Sequence, residues 1–236
     1  MDETSGAESA PDTKPTAVVR RGRVTFKGVR AVLILIALVV AIGVLVYRSS
    51  PRVSVLISAL LWFAMDVYWS IAETKRHQTK SQESAESRRR HGLLTMTALL
   101  LLFVPIPELT GHFIPDTLTT ALVGLGIQIG FNVFYFYARF YLGKLWSGAI
   151  TIMSGHELIQ TGPYRFLRHP MYTGMLGMAA GTAIVSGRYH ALLGVALFVV
   201  AYARKIRMED RVLAAEFGEP FSIYRKRTAA LIPWIL

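Results

Sequence analysis

Long apolar runs spaced along almost the whole chain constrain its fold more than any other feature. A helix needs about 20 mainly apolar residues to cross the roughly 30 Å of hydrocarbon in a bilayer. Six runs are candidates, the third being short and the last two forming a hairpin joined at Ser186–Arg188: Val29–Tyr47, Val53–Ile71, Gly92–Val104, Leu118–Tyr141, Met171–Val185 and His190–Ala203. The pattern predicts an all-α, polytopic integral membrane protein of about six transmembrane helices.

The composition supports a lipid environment. The chain is 53% hydrophobic and 17% charged, whereas a soluble domain carries about 25% charged residues. The net charge of +11 comes from basic residues that flank the apolar runs, which indicates contact with anionic headgroups rather than nucleic acid. The absence of cysteine excludes a thiolate zinc site. No His, Asp or Glu cluster has metal-ligand spacing, so no metal is predicted.

The distribution of basic residues predicts the orientation. If every apolar run crosses, only Arg48, Arg52 and Arg188 lie on the outer side, and the other basic residues share the opposite side. Basic loops stay in the cytosol, so both termini and the polar C-terminal segments are expected there. Three regions follow: a disordered cytosolic tail at 1–27, four transmembrane helices at 28–141 and a catalytic region at 142–236.

The polar stretch that begins at Ser154 carries the chemistry-bearing residues. Thr161-Gly162-Pro163 is a turn signal, and Pro170 suits the first turn of a helix. Arg168 and the free backbone amides of that helix start favour an anion. Tyr164 and Tyr172 offer aromatic faces to an adenine or a sulfonium. The same composition also suits a plain juxtamembrane connector whose arginines contact headgroups.

The order of short motifs resembles the isoprenylcysteine carboxyl methyltransferase family over roughly residues 140–236. The residues that carry the resemblance are His156-Glu157-Leu158-Ile159, Thr161-Gly162-Pro163-Tyr164, Arg168-His169-Pro170-Met171-Tyr172-Thr173-Gly174, Glu209-Asp210, Phe217-Gly218, Tyr224 and Pro233.

The resemblance implies S-adenosylmethionine as the cofactor and assigns roles residue by residue. The implied cofactor-binding residues are His156, Glu157, Leu158, Ile159, Tyr164, His169, Pro170, Met171, Tyr172 and Glu209. Lys205 stands where the family has an arginine that engages the substrate carboxylate, and Arg204 is an alternative. Lys205, Arg204 and Glu209 are therefore the implied catalytic residues. Lysine keeps the charge of arginine but loses its bidentate geometry.

The implied function is methyl transfer to a lipophilic acceptor, with a carboxylate of isoprenylcysteine type as the first choice. A phospholipid amine or a small hydrophobic thiol or acid are alternatives. An NADPH-dependent enzyme similar to sterol reductases and a non-enzymatic membrane scaffold also remain open, as does the oligomeric state.

Single polar residues add further expectations. His169 could act as a general base, but orienting the cofactor is the preferred role. Gln128 and Asn132 are expected to form interhelical hydrogen bonds. Asp66 could serve the site or pair with an arginine near it. The remaining expectation, a solvated loop or interface position, applies to His91, His112 and His190.

Overall fold

The computed structural model describes residues 52–72, 79–109, 111–143, 151–153 and 158–232. The expected tail at 1–27, the expected first span Val29–Tyr47 and the motif residues His156, Glu157 and Pro233 lie outside these ranges.

Six α-helices dominate the described part of the chain, as expected for an all-α protein. They are α1 (Arg52–Ala72), α2 (Ala85–Phe103), α3 (Leu118–Leu142), α4 (Pro170–Ser186), α5 (Tyr189–Phe217) and α6 (Glu219–Arg227). Short 3-10 turns occupy Pro107–Leu109 and Gly162–Arg165. One feature was not predicted: β1 (Thr79–Gln82) pairs antiparallel with β2 (Thr151–Met153).

Two helix boundaries differ from the predicted ones. The third helix, α2, begins at Ala85 rather than Gly92, because Ser84 Oγ accepts a hydrogen bond from the Ser87 N–H (3.2 Å) and caps the start. The prediction of a separate amphipathic helix from Arg204 onward is wrong. No glycine or proline interrupts α5 after Gly194, so the helix continues to Gly218, whose positive φ of 59° ends it.

Helices α3 and α4 lie in close contact because glycines line their shared face. A Cβ placed on Gly181 would be 2.6 Å from the Gln128 backbone nitrogen, and one on Gly124 would be 2.7 Å from the Val185 backbone nitrogen. Small residues allow this approach, and van der Waals packing then stabilises the pair where lipid removes the hydrophobic driving force.

Buried hydrogen bonds link α1, α3 and α4. Gln128 Nε2 donates to the Ser58 carbonyl oxygen (3.0 Å), and Trp62 Nε1 donates to Thr182 Oγ1 (2.9 Å). Asn132 Nδ2 lies 3.6 Å from the sulfur of Met178. The expectation that Gln128 and Asn132 connect helices is confirmed. Such bonds fix the rotation of each helix about its axis.

The outer surface of the bundle is apolar. On α1, Leu56, Leu60 and Phe63 are each at least half exposed, which water would not favour but lipid does. Within the described ranges, only Leu118–Leu142 has the length and apolar composition needed for a membrane crossing, and Val53–Trp69 is apolar but shorter. Six crossings therefore remain a prediction.

Candidate functional site

Two adjacent acids on α5 and the residue preceding α4 form a buried polar cluster. His169 lies between the acids: its Nε2 is 2.9 Å from Asp210 Oδ1, and its Nδ1 is 3.5 Å from Glu209 Oε2. The helix start holds His169 in place, since α4 begins at Pro170, as the sequence predicted. Both ring nitrogens therefore face a carboxylate.

The two carboxylates determine the charge of the histidine. Burial disfavours the charged ring, but the hydrogen bonds to Asp210 and Glu209 outweigh it and raise the pKa of His169 to about 9. Burial also opposes the charge of Glu209, yet hydrogen bonds from His169 and Tyr172 lower the pKa of this carboxyl group. At neutral pH an imidazolium thus lies between carboxylates. Such a ring has no lone pair to act as a base, so the geometry favours the orienting role of His169.

The raised pKa of His169 predicts a loss of stability at alkaline pH. A group whose pKa is higher in the folded state stabilises the fold fully below its ordinary pKa of 6.5, and this contribution disappears as the pH rises through about 9. The shift corresponds to about 3 kcal/mol. We expect the thermal unfolding temperature of purified protein to fall between these pH values. His169→Gln should flatten this dependence, and an equal slope in both proteins would contradict the assignment.

Tyr172, one turn into α4, joins the cluster to the rest of the site. Its hydroxyl donates to Glu209 Oε2 (2.6 Å), and its ring stacks on His169 with a centroid separation of 5.4 Å. Lys205 Nζ lies over the other part of this aromatic group, 6.0 Å from the Tyr172 ring centroid. Lys205 and Glu209 are four residues apart on α5 and so share one face.

A segment after α6 closes the cluster through backbone contacts. The N–H of Arg168 donates to the Ala229 carbonyl oxygen (2.8 Å), and that of His169 to the Ala230 carbonyl oxygen (3.1 Å). Thr173 Oγ1 donates to the Leu231 carbonyl oxygen (2.6 Å). Residues 229–231 therefore form a wall of the site.

Arg168 and Tyr224 hold the loop before α4 against α6. The Arg168 guanidinium lies 3.7 Å from Asp210 Oδ2 and donates to the carbonyl oxygens of Arg225 (3.0 Å) and Thr228. The Tyr224 hydroxyl donates to the Tyr164 carbonyl oxygen (2.7 Å). These contacts explain why an acid, a base and an aromatic residue lie at these positions.

An apolar cavity of about 550 Å³ opens between the helices next to the cluster. Its walls come from α1 to α5 and include Trp62, Met175 and Phe198. Tyr172 and Lys205 belong to both the cavity and the cluster. The arrangement brings a charged, water-accessible site into contact with a space suited to an apolar molecule.

Comparison with known proteins identifies the motif-bearing region. Residues 123–215 match the model of the isoprenylcysteine carboxyl methyltransferase family. This part of the chain belongs to the isoprenylcysteine carboxyl methyltransferase family. The match contains α4 and most of α5, and with them His169, Tyr172, Lys205 and the two acids.

Individual methyltransferases and other proteins share this region. A cobalt-zinc-cadmium resistance protein of Cupriavidus metallidurans is 38% identical over 97 residues, 39% of this chain and 43% of that protein. Protein-S-isoprenylcysteine O-methyltransferase of Schizosaccharomyces pombe is 32% identical over 81 residues, 34% of each chain. Methanethiol S-methyltransferase 2 of Bradyrhizobium diazoefficiens is 31% identical over 170 residues, 67% of this chain and 64% of that protein. The chain thus spans less than half the length of the first two.

A solved structure shares the fold. The eukaryotic intramembrane Ras methyltransferase, an isoprenylcysteine carboxyl methyltransferase, superposes with a TM-score of 0.53 at 18% sequence identity, covering 85% of this chain and 74% of that one. The helical arrangement described above is therefore a known architecture for a membrane protein.

The structure places the residues implied by the methyltransferase resemblance in three environments. His169, Tyr172, Glu209 and Lys205 meet in the cluster. Leu158, Ile159, Tyr164, Pro170 and Met171 are buried, so their side chains support the site by packing. Arg204 turns toward α2, where its guanidinium donates to Ser87 Oγ (2.6 Å), and does not join the cluster.

Several residues of the site were absent from the sequence-based assignment or misjudged. Asp210 and Tyr224 belong to matching motifs, so their proximity to the other motif residues was the available signal. Residues 229–231 act through the backbone and gave no signal. His190, expected at a solvated or interface position, is 1% exposed and its Nδ1 is bonded to the Leu101 carbonyl oxygen, because α5 packs closely against α2.

Proposed function

We propose that this chain is a membrane-embedded methyltransferase that takes a methyl group from S-adenosylmethionine and transfers it to a lipophilic acceptor. The observation that carries the proposal is the contact between the charged cluster and the apolar cavity, made through Tyr172 and Lys205. A water-soluble donor and a lipid-soluble acceptor need such a boundary to meet.

The residues of the cluster fit the cofactor. The side chain of Glu209 is 29% exposed, whereas that of Asp210 is 11% exposed, so Glu209 has an open edge for the ammonium group or ribose hydroxyls of a ligand. Its lowered pKa keeps it ionised at neutral pH. Tyr172 supplies a hydroxyl that fixes this carboxylate. S-adenosylmethionine, when bound, supplies an electrophilic methyl group on a sulfonium.

The proposed acceptor carries an oxygen or sulfur nucleophile on an apolar body. A carboxylate of isoprenylcysteine type is the first choice, and a small hydrophobic thiol or acid is the second. Lys205 at the cavity favours a negatively charged group there, and it disfavours a phospholipid amine, which would add a second positive charge. Alignment of the reactants and exclusion of water by the apolar walls would provide most of the rate enhancement.

The proposal includes the membrane arrangement. Six crossings with both termini and the cluster in the cytosol would expose Glu209 to the soluble donor. Among the described residues, exposed basic side chains such as Arg165, Arg211 and Arg225 accompany the cluster, which is consistent with a cytosolic face.

Ligand binding tests the cofactor assignment. Isothermal titration of the purified chain with S-adenosylhomocysteine should show binding, and Glu209→Gln should weaken it by about 10-fold or more, because a charge-assisted hydrogen bond is lost. Glu216→Gln, at an exposed position on the same helix, is the matched control and should bind normally.

The same titration separates the alternatives. Binding of NADPH without binding of either adenosyl ligand would support a reductase of the sterol type. Binding of none of these ligands would support a scaffold. Either result would refute the methyltransferase proposal.

A further inference from the structure

Two buried polar atoms at the cavity have no partner within the described part of the protein. The hydroxyl of Tyr135, a residue of α3 with no exposed surface, makes no hydrogen bond, and neither does Nδ1 of His91 on α2. Both residues line the cavity. A buried polar group left without a partner costs about 1–3 kcal/mol, so these atoms indicate a bound partner that comes from outside the chain.

Both residues lie near the part of the cavity that adjoins the cluster. The ring of His91 meets that of Tyr202 edge to face at 5.3 Å, and Tyr202 lies 5.0 Å from Tyr172. Tyr135 packs against Gly174, where a Cβ would be 2.8 Å from Tyr135 Cβ. Gly174 is two residues after Tyr172. The hydroxyl of Tyr135 therefore lies where the apolar cavity approaches Tyr172 and Lys205.

The charge of this region comes from Lys205. Burial, with the nearby charges of Lys205 and Arg204, lowers the pKa of His91 to about 4, so the imidazole is neutral at physiological pH. Lys205 is 8% exposed and supplies an ammonium group. A phenol hydroxyl can donate a hydrogen bond to an anion but adds no charge of its own.

We propose that the Tyr135 hydroxyl is a positioning group for the methyl acceptor, donating a hydrogen bond to the acceptor's anionic head group beside Lys205. The inference rests on the proposed function and names the acceptor class: an amphiphile with a carboxylate or thiolate head. One ammonium group holds an anion at a single point, and a second donor from another helix fixes its direction. Direction matters because methyl transfer requires the nucleophile to be aligned with the bond that breaks.

Tyr135→Phe tests the role because it removes one oxygen atom that the folded protein does not use. Methyl transfer from labelled S-adenosylmethionine is measured for purified full-length chain with two probes, N-acetyl-S-farnesylcysteine and 1-octanethiol. The KM for the methylated probe should rise by about 10-fold or more. The unfolding temperature should stay unchanged or rise, since an unpaired hydroxyl disappears, and the Kd for S-adenosylhomocysteine should stay unchanged.

Tyr137→Phe is the matched control. Tyr137 lies two residues along α3, is exposed, and has its hydroxyl 3.4 Å from that of Tyr141. Its loss should leave KM unchanged.

Each outcome of this experiment decides the inference. An unchanged KM in Tyr135→Phe, a lowered unfolding temperature or a weakened S-adenosylhomocysteine affinity would overturn it, as would failure of the wild-type chain to methylate either anionic head group. If wild type also fails to bind S-adenosylhomocysteine, the proposed function itself fails, which distinguishes the two cases.

Discussion

Gly181→Ala is expected to destabilise the protein by about 3 kcal/mol, because the added methyl group has no room. A Cβ at this position would lie 2.6 Å from the Gln128 backbone nitrogen and 2.8 Å from the Gly124 carbonyl oxygen. Backbone atoms cannot rotate away as a side chain does. The α3 and α4 axes would have to separate, and their other contacts would weaken together.

Gly126→Ala provides the matched control on α3. A Cβ at Gly126 meets nothing within 4 Å, and alanine is a better helix former than glycine by about 1 kcal/mol. We expect this variant to unfold at the same temperature as wild type or slightly above it. Thermal unfolding of both variants in the same detergent checks the prediction. Equal unfolding temperatures for Gly181→Ala and Gly126→Ala would show that the helices do not approach as closely as described.

Asp210→Asn is expected to lower stability by about 3 kcal/mol at neutral pH. The change keeps the shape of the side chain but removes the charge that lies 2.9 Å from His169 Nε2 and 3.7 Å from Arg168 Nε. Two buried or partly buried cations would then share Glu209 as their nearby acid, and one ring N–H of His169 would lose its carboxylate.

The pH dependence separates this electrostatic effect from a general packing defect. Because Asp210 contributes to the raised pKa of His169, the variant should be most affected where wild-type His169 is protonated, below about pH 9. Chemical denaturation at neutral and alkaline pH measures this difference. Glu219→Asn, an exposed acid at the start of α6, should behave as wild type. A loss of stability that is the same at all pH values would contradict the ionic explanation.

The helices were largely predictable, since apolar runs and turn residues determine them locally. The second and fourth runs correspond closely to α1 and α3, and Pro170 begins α4 as its position suggested. The boundary at Arg204 was wrong because a change in composition was interpreted as a change in structure. A helix continues through such a change when no glycine or proline stops it, and α5 passes from apolar surroundings into the charged cluster without a break.

The site was predictable where side chains form motifs and unpredictable where geometry decides. His169, Tyr172 and Glu209 were assigned by resemblance, and the structure brings them together. The same reasoning could not tell that Arg204 turns toward α2 while Lys205 turns toward Tyr172, because adjacent residues on a helix differ by about 100° in direction. Nor could it identify Tyr135, whose significance lies in the absence of a partner within the fold.

The segment at residues 229–231 has a consequence for tracing relatives of this protein. It lies beyond the region that matches the family, which ends at residue 215, yet its carbonyl groups accept bonds from Arg168, His169 and Thr173. Every amino acid offers the same carbonyl, so natural variation can replace these side chains freely without altering the bonds. Two homologues could therefore have the same wall here and share no recognisable letters, and an alignment based on identity would end before the site does.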